Sequence, residues 1–150
     1  MHSSSHKSSH KHGQDIWQDP IIKQAMELDP EEVYAHGYAA WQGGAYDQAL
    51  IDFSWLVMSQ PWSWRAHVAL AGALMMQKEY AMAMNYYGYA LMLDACHPEP
   101  VYQMGVCLQA MGETSAAREA LQTALTMSYD DPSYSDVRAN AVLMLGRLLT

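Results

Sequence analysis

A 34-residue self-similarity constrains this chain more than any other feature. Displacing the sequence against itself by 34 positions aligns Gly37, Ala71 and Gly105 in one column of small residues. Ala49, Ala83 and Ala117 form a second, and Phe53, Tyr87 and Leu121 a large apolar column four residues later. Leu56, Ala90 and Ala124 complete the set. Gly44, Lys78 and Gly112 mark a turn, followed by Tyr46 and Tyr80, with Thr114 breaking that last column. A unit of this length cannot bury its own apolar face and must stack on its neighbours. The small residues let two antiparallel helices cross closely, and the large residue one turn later fills the space between units. Glycine at the turn supplies the left-handed backbone that ends the first helix.

A 34-residue period with small residues at these offsets is the tetratricopeptide-repeat signature. The chain is therefore expected to be all-α, with three helix pairs in a right-handed solenoid at about 30–63, 64–97 and 98–131. First helices are predicted at 31–42, 64–77 and 98–110, and second helices at 47–59, 80–93 and 114–127. Asp19-Pro20 starts a short leading helix that runs to about Leu28 and stops before Asp29-Pro30. Val137, Ala141, Met144, Leu145 and Leu148 follow helical spacing, which predicts a capping helix over about 133–149. Phe53, Tyr87, Leu91, Met127 and Leu143 are assigned to packing. Residues 16–150 then form a single domain. Residues 1–15, rich in Ser, His and Lys without apolar content, read as a disordered tail or a purification tag. His2, His6, His10 and His12 there can bind metal only adventitiously.

Composition narrows the function. Only eight Lys and Arg stand against sixteen Asp and Glu, a formal charge of −8, which argues against a nucleic-acid partner. No apolar run reaches the roughly 18–20 residues that span a bilayer, and no secretory signal is apparent, so a cytoplasmic location is expected. Cys96 and Cys107 match no metal or redox spacing and read as buried, inert thiols. His36, His67 and His97 lie on different repeats without a carboxylate–nucleophile arrangement. His36 and His67 fall where histidines pack between helices. Gly43-Gly44 ends a helix rather than cradling phosphate. No catalytic residues, metal site or cofactor is expected.

What remains is a binding surface. The first helix of each pair lines the concave wall, and the face opposite its helix partner points into the groove. That face carries Tyr34, Tyr38, Trp41 and Gln42 in the first repeat. Arg65, Val68, Gly72, Met75 and Met76 follow in the second, then Glu99, Tyr102, Val106, Gln109 and Ala110 in the third. Aromatic rings give large contact area at low entropic cost, and methionine reshapes around varied apolar side chains. Replacing Tyr34 and Trp41 together is expected to cost binding without unfolding the protein. Trp62 and Trp64, in the turn Gln60-Pro-Trp-Ser-Trp-Arg65, either staple neighbouring repeats or form an exposed contact patch. A clamp for a terminal carboxylate would need several groove cations, and Arg65 is the one at these positions.

The segments Ala49–Met58, Gln60–His67, Tyr87–Asp94 and His97–Cys107 resemble the class II chaperones of bacterial type III secretion, over roughly residues 19–150. Within that family the chain is most like chaperones of SseF-type effectors. The resemblance implies a secreted effector or translocator, an SseF-type effector favoured, held as an extended segment in the groove before export. It also implies groove roles for Tyr34 and Tyr38, and a homodimer. A structural scaffold or adaptor of the secretion apparatus, or a transcriptional co-regulator, is the alternative.

Overall fold

In the structure, a computed structural model, residues 16–149 are described; the tail expected at 1–15 lies outside them. A short 3-10 turn, Ile16–Gln18, precedes the leading helix α1 (Pro20–Met26). Three antiparallel pairs follow: α2 (Pro30–Gln42) with α3 (Tyr46–Ser59), α4 (Trp64–Met76) with α5 (Tyr80–Leu93), and α6 (Pro98–Ala110) with α7 (Thr114–Ser128). A 3-10 turn, Pro132–Tyr134, leads into α8 (Ser135–Leu148). Each repeat helix packs mainly on the one before and the one after it, giving a helical solenoid of tetratricopeptide type.

The first helix of every pair starts on a side-chain cap. Asp29 Oδ1 accepts from the Glu31 N–H at 3.1 Å, Ser63 Oγ from Ala66 at 3.2 Å and His97 Nδ1 from Glu99 at 3.2 Å. Pro30 and Pro98 occupy the first helical position, where a missing N–H costs nothing. Those helices end in one repeated turn. Gly44, Lys78 and Gly112 carry φ of 80°, 63° and 80°. The next N–H then reaches back across the turn: Ala45 to Ala40 O, Glu79 to Leu74 O and Glu113 to Leu108 O, at 2.8–2.9 Å. The Gly/Lys/Gly column is therefore a conformational column, at which Lys78 tolerates left-handed backbone that glycine adopts without strain.

The small column is explained by contact distances. A Cβ built on Gly37 would lie 2.5 Å from Phe53 Cε1, and one on Gly105 would lie 2.8 Å from Leu121 Cγ. Those glycines exist because the large column presses onto them. Ala49, Leu56, Ala83, Ala90, Ala117 and Ala124 are fully enclosed between the helices. At the far end α8 buries Val137 and Ala141. Arg138 Nη2 donates to Ser128 O at 2.7 Å, and its guanidinium lies 4.5 Å over the Tyr129 ring, tying α8 to the end of α7.

Three sequence expectations fail. Leu143 is 55% exposed, because it sits two residues past Ala141, about 200° round the helix from the buried face. His36 turns outward, its side chain 65% exposed, and its Nδ1 sits 2.6 Å from Asp52 Oδ2 on α3. Cys96 is exposed in the turn between repeats, whereas Cys107 is buried as expected.

Candidate functional site: a concave cavity across three repeats

A cavity of about 310 Å³ opens on the concave wall. Tyr38 and Trp41 come from α2, and Val68, Ala69 and Gly72 from α4. Glu99 and Gln103 come from α6, while Phe53 of α3 and Tyr87 of α5 form its floor. The site is therefore assembled from all three repeats and does not exist in any one of them. Its size falls in the range of pockets that take organic groups rather than a few waters.

Tyr38 and Trp41 are each 37% exposed, which presents ring surface to a ligand while their inner edges stay packed. The Tyr38 ring tilts against Phe53, centroids 5.2 Å apart, and stacks on Tyr34 at 6.2 Å. Both contacts hold the ring in place. At the floor, Tyr87 donates its hydroxyl to Met75 Sδ at 3.2 Å. Burial, with Cys107 and Glu99 nearby, pushes the Tyr87 phenol well above its ordinary range, so it stays neutral.

A cavity needs a missing side chain, and Gly72 supplies it. A Cβ built there would meet only the Tyr87 Oη, at 4.0 Å, which is ordinary contact. In the repeat register Gly72 stands where Tyr38 and Val106 stand in the other repeats. It is unlike Gly37 and Gly105, whose space is already taken by neighbouring side chains.

The groove residues expected from sequence divide into three groups. Tyr38, Trp41 and Val68 line the cavity, with Gly72 and Glu99. Tyr34 is 2% exposed, so the expectation that it could be replaced without harm to folding is corrected. Its hydroxyl meets Ser63 Oγ at 3.1 Å, and the Arg65 guanidinium covers its ring at 3.8 Å. The rest lie outside the cavity lining. Among these, Gln42, Arg65, Met76, Gln109 and Ala110 are exposed, whereas Met75, Tyr102 and Val106 are half-buried. Burial raises the Tyr102 phenol above its usual value.

Phe53 and Tyr87, read from sequence as packing residues only, also floor the site, and Ala69 joins its wall. Periodicity marks them as inward-facing and carries no signal that one edge meets an open cavity. The two tryptophans of the turn part company. Trp64 rests on His97 of the next repeat, ring centroids 4.3 Å apart, and acts as a staple. Trp62 is 69% exposed, and its sequence neighbour Pro61 lines a shallow apolar pocket with His67, Tyr89, Met92 and Leu93.

Comparison with known proteins agrees with this architecture. A family model for the tetratricopeptide repeat matches residues 74–141. Low calcium response locus protein H of Yersinia pseudotuberculosis is 24% identical over 115 residues, 77% of this chain and 68% of that one. PcrH from Pseudomonas aeruginosa superposes with a TM-score of 0.76 at 23% identity, covering 81% of this chain and 92% of its own. SycD, the Yersinia enterocolitica type III secretion chaperone, solved with a peptide of the translocator YopD, gives 0.74 at 22% identity, covering 79% and 90%. This chain has the fold of the type III secretion translocator chaperones. No helix among the described residues is long and apolar enough to cross a membrane. Nor do three or more metal-ligating side chains converge among those residues.

Proposed function

We propose that the protein is a bacterial secretion chaperone. It holds a secreted effector or translocator in the cytoplasm before export, with an SseF-type effector as the favoured client. The observation that carries this reading is the cavity itself: partly exposed Tyr38 and Trp41 over a floor of Phe53 and Tyr87, open to the concave side. Burying a client's apolar side chains there gains about 25 cal/mol per Å² of area removed from water, offsetting the entropy lost when the segment is ordered. The mechanism is stoichiometric holding, which keeps a membrane-active or aggregation-prone segment covered until export. Similarity to chaperones solved with or without a translocator peptide supports this assignment.

The test is co-expression with candidate effectors and translocators encoded beside its gene, followed by size-exclusion chromatography with light scattering. The reading expects a soluble stoichiometric complex with one candidate that is insoluble alone. Changing Tyr38 and Trp41 together to Ala should abolish that complex while the helical circular-dichroism signal survives. Co-elution with components of the secretion apparatus, and with no client, would instead establish the scaffold alternative.

A further inference from the structure

The repeat register places Glu31, Arg65 and Glu99 in one column, 34 residues apart, so a single cation stands between two acids. Arg65 has gone to one side. Its Nη1 donates to both carboxylate oxygens of Glu31 at 3.1 Å while its guanidinium lies over Tyr34 and 5.7 Å from the Tyr38 ring. Glu99 is left over. Among the described residues no Lys or Arg forms an ion pair with it, and its Oε1 accepts only from the neutral Gln103 amide at 3.0 Å. Yet Glu99 is half-buried and supplies the one formal charge on the cavity wall. A partly desolvated carboxylate without a cation gains more from a charged donor than a solvated one does.

We propose that the cavity selects a client segment carrying a lysine or arginine, its aliphatic stem against Tyr38 and Trp41 and its charged head on Glu99. This rests on the chaperone reading above and deepens it. The neighbouring junction already displays the same chemistry within the chain: a guanidinium held between a carboxylate and a tyrosine face. Gly72 leaves the stem its path, since nothing but the Tyr87 hydroxyl approaches that position. Long basic side chains bury their methylenes along apolar walls while keeping the charge solvated or paired, which suits a mainly aromatic and aliphatic cavity in which Glu99 carries the formal charge. The net charge of −8 further favours a segment that brings cations with it.

A displayed library of random short peptides, panned on the full chain, tests this without knowledge of the client. Peptides selected on the wild type should combine apolar residues with a Lys or Arg at a recurrent position. Changing that residue to Gln should weaken binding about tenfold, as for loss of one charge-assisted contact. The same peptide pair should differ little on Glu99→Gln, and Glu99→Lys should select acidic residues at that position. Selected peptides without a basic position, or with affinities indifferent to Glu99→Gln, would overturn the inference. If such peptides still lose binding on Gly72→Leu, the groove reading stands without it. If binding survives Gly72→Leu in a variant with wild-type helicity, the groove reading falls as well.

Discussion

The two junctions between repeats are built from the same columns and finished differently. Between the first and second repeats, Arg65 closes onto Glu31 and seals Tyr34 beneath it, with Ser63 holding the tyrosine hydroxyl. Between the second and third, the Glu99 carboxylate is joined among the described residues by the Gln103 amide, and Gly72 withdraws the side chain that would fill the gap. One junction is a finished piece of core, the other an unfinished one. The lesson is that a repeat protein can make a cavity by leaving one register position empty. The helix frame, fixed by the buried alanines and the Phe53, Tyr87 and Leu121 column, need not change.

Substitutions at two glycines, Gly37 and Gly72, and two tyrosines, Tyr34 and Tyr38, can break this contrast. Gly37→Leu drives a side chain into Phe53 at a position with no room, and should destabilise by about 3 kcal/mol or more, or prevent folding outright. Gly72→Leu should fold, because its Cβ meets no obstruction; equal damage from both changes, measured by urea denaturation, would refute the distinction between packing and cavity glycines. Next in size, Tyr34→Ala removes a buried ring and should cost about 3 kcal/mol, whereas Tyr38→Ala should cost well under half of that. Similar losses would mean that Arg65 does not seal the first junction. Gly72→Ala should raise stability by up to about 1 kcal/mol, since glycine inside a helix is unfavourable and the new methyl has space. Thermal denaturation that shows a loss instead would place a hidden contact at the open junction.

The smallest effect concerns the cysteines and reads the interior of α6 directly. Burial pushes the Cys107 thiol up to about 11, so at pH 8 only about one molecule in a thousand carries the reactive thiolate. Cys96 is exposed in a turn. A thiol reagent should therefore count one cysteine in the native protein and two in denaturant. Rising pH should speed Cys107 labelling only toward the upper end of the accessible range. Two native counts at pH 8 would show that the second junction opens far enough to admit the reagent.

Most of the frame was legible in the sequence because its causes are local or periodic. Asp29-Pro30, Ser63 and His97-Pro98 fix the helix starts, and the Gly44, Lys78 and Gly112 column fixes the ends; together these put the repeat helices within a residue of the expected bounds. The site was legible only as a face. Tyr34 and Tyr38 share that face, four residues apart, and nothing local separates them. What does is Arg65, from the next repeat, lying on one ring more closely than on the other. Likewise the outward turn of His36 depends on Asp52 waiting on the adjacent helix, and the exposure of Leu143 on which flank of α8 meets α7. Such facts belong to pairs of elements, and a column of residue types does not contain them.

The order in which helices pack along the chain has a consequence in time. Because each repeat helix rests mainly on its immediate neighbours in sequence, ordering requires few distant segments to meet, and folding can spread from pair to pair. The aromatic wall of α2 can thus form while the chain is still being extended. Glu99 and Gln103, however, arrive with α6, so the wall opposite is missing until the third repeat docks. The cavity is therefore completed only when the third repeat docks, as a late step of maturation.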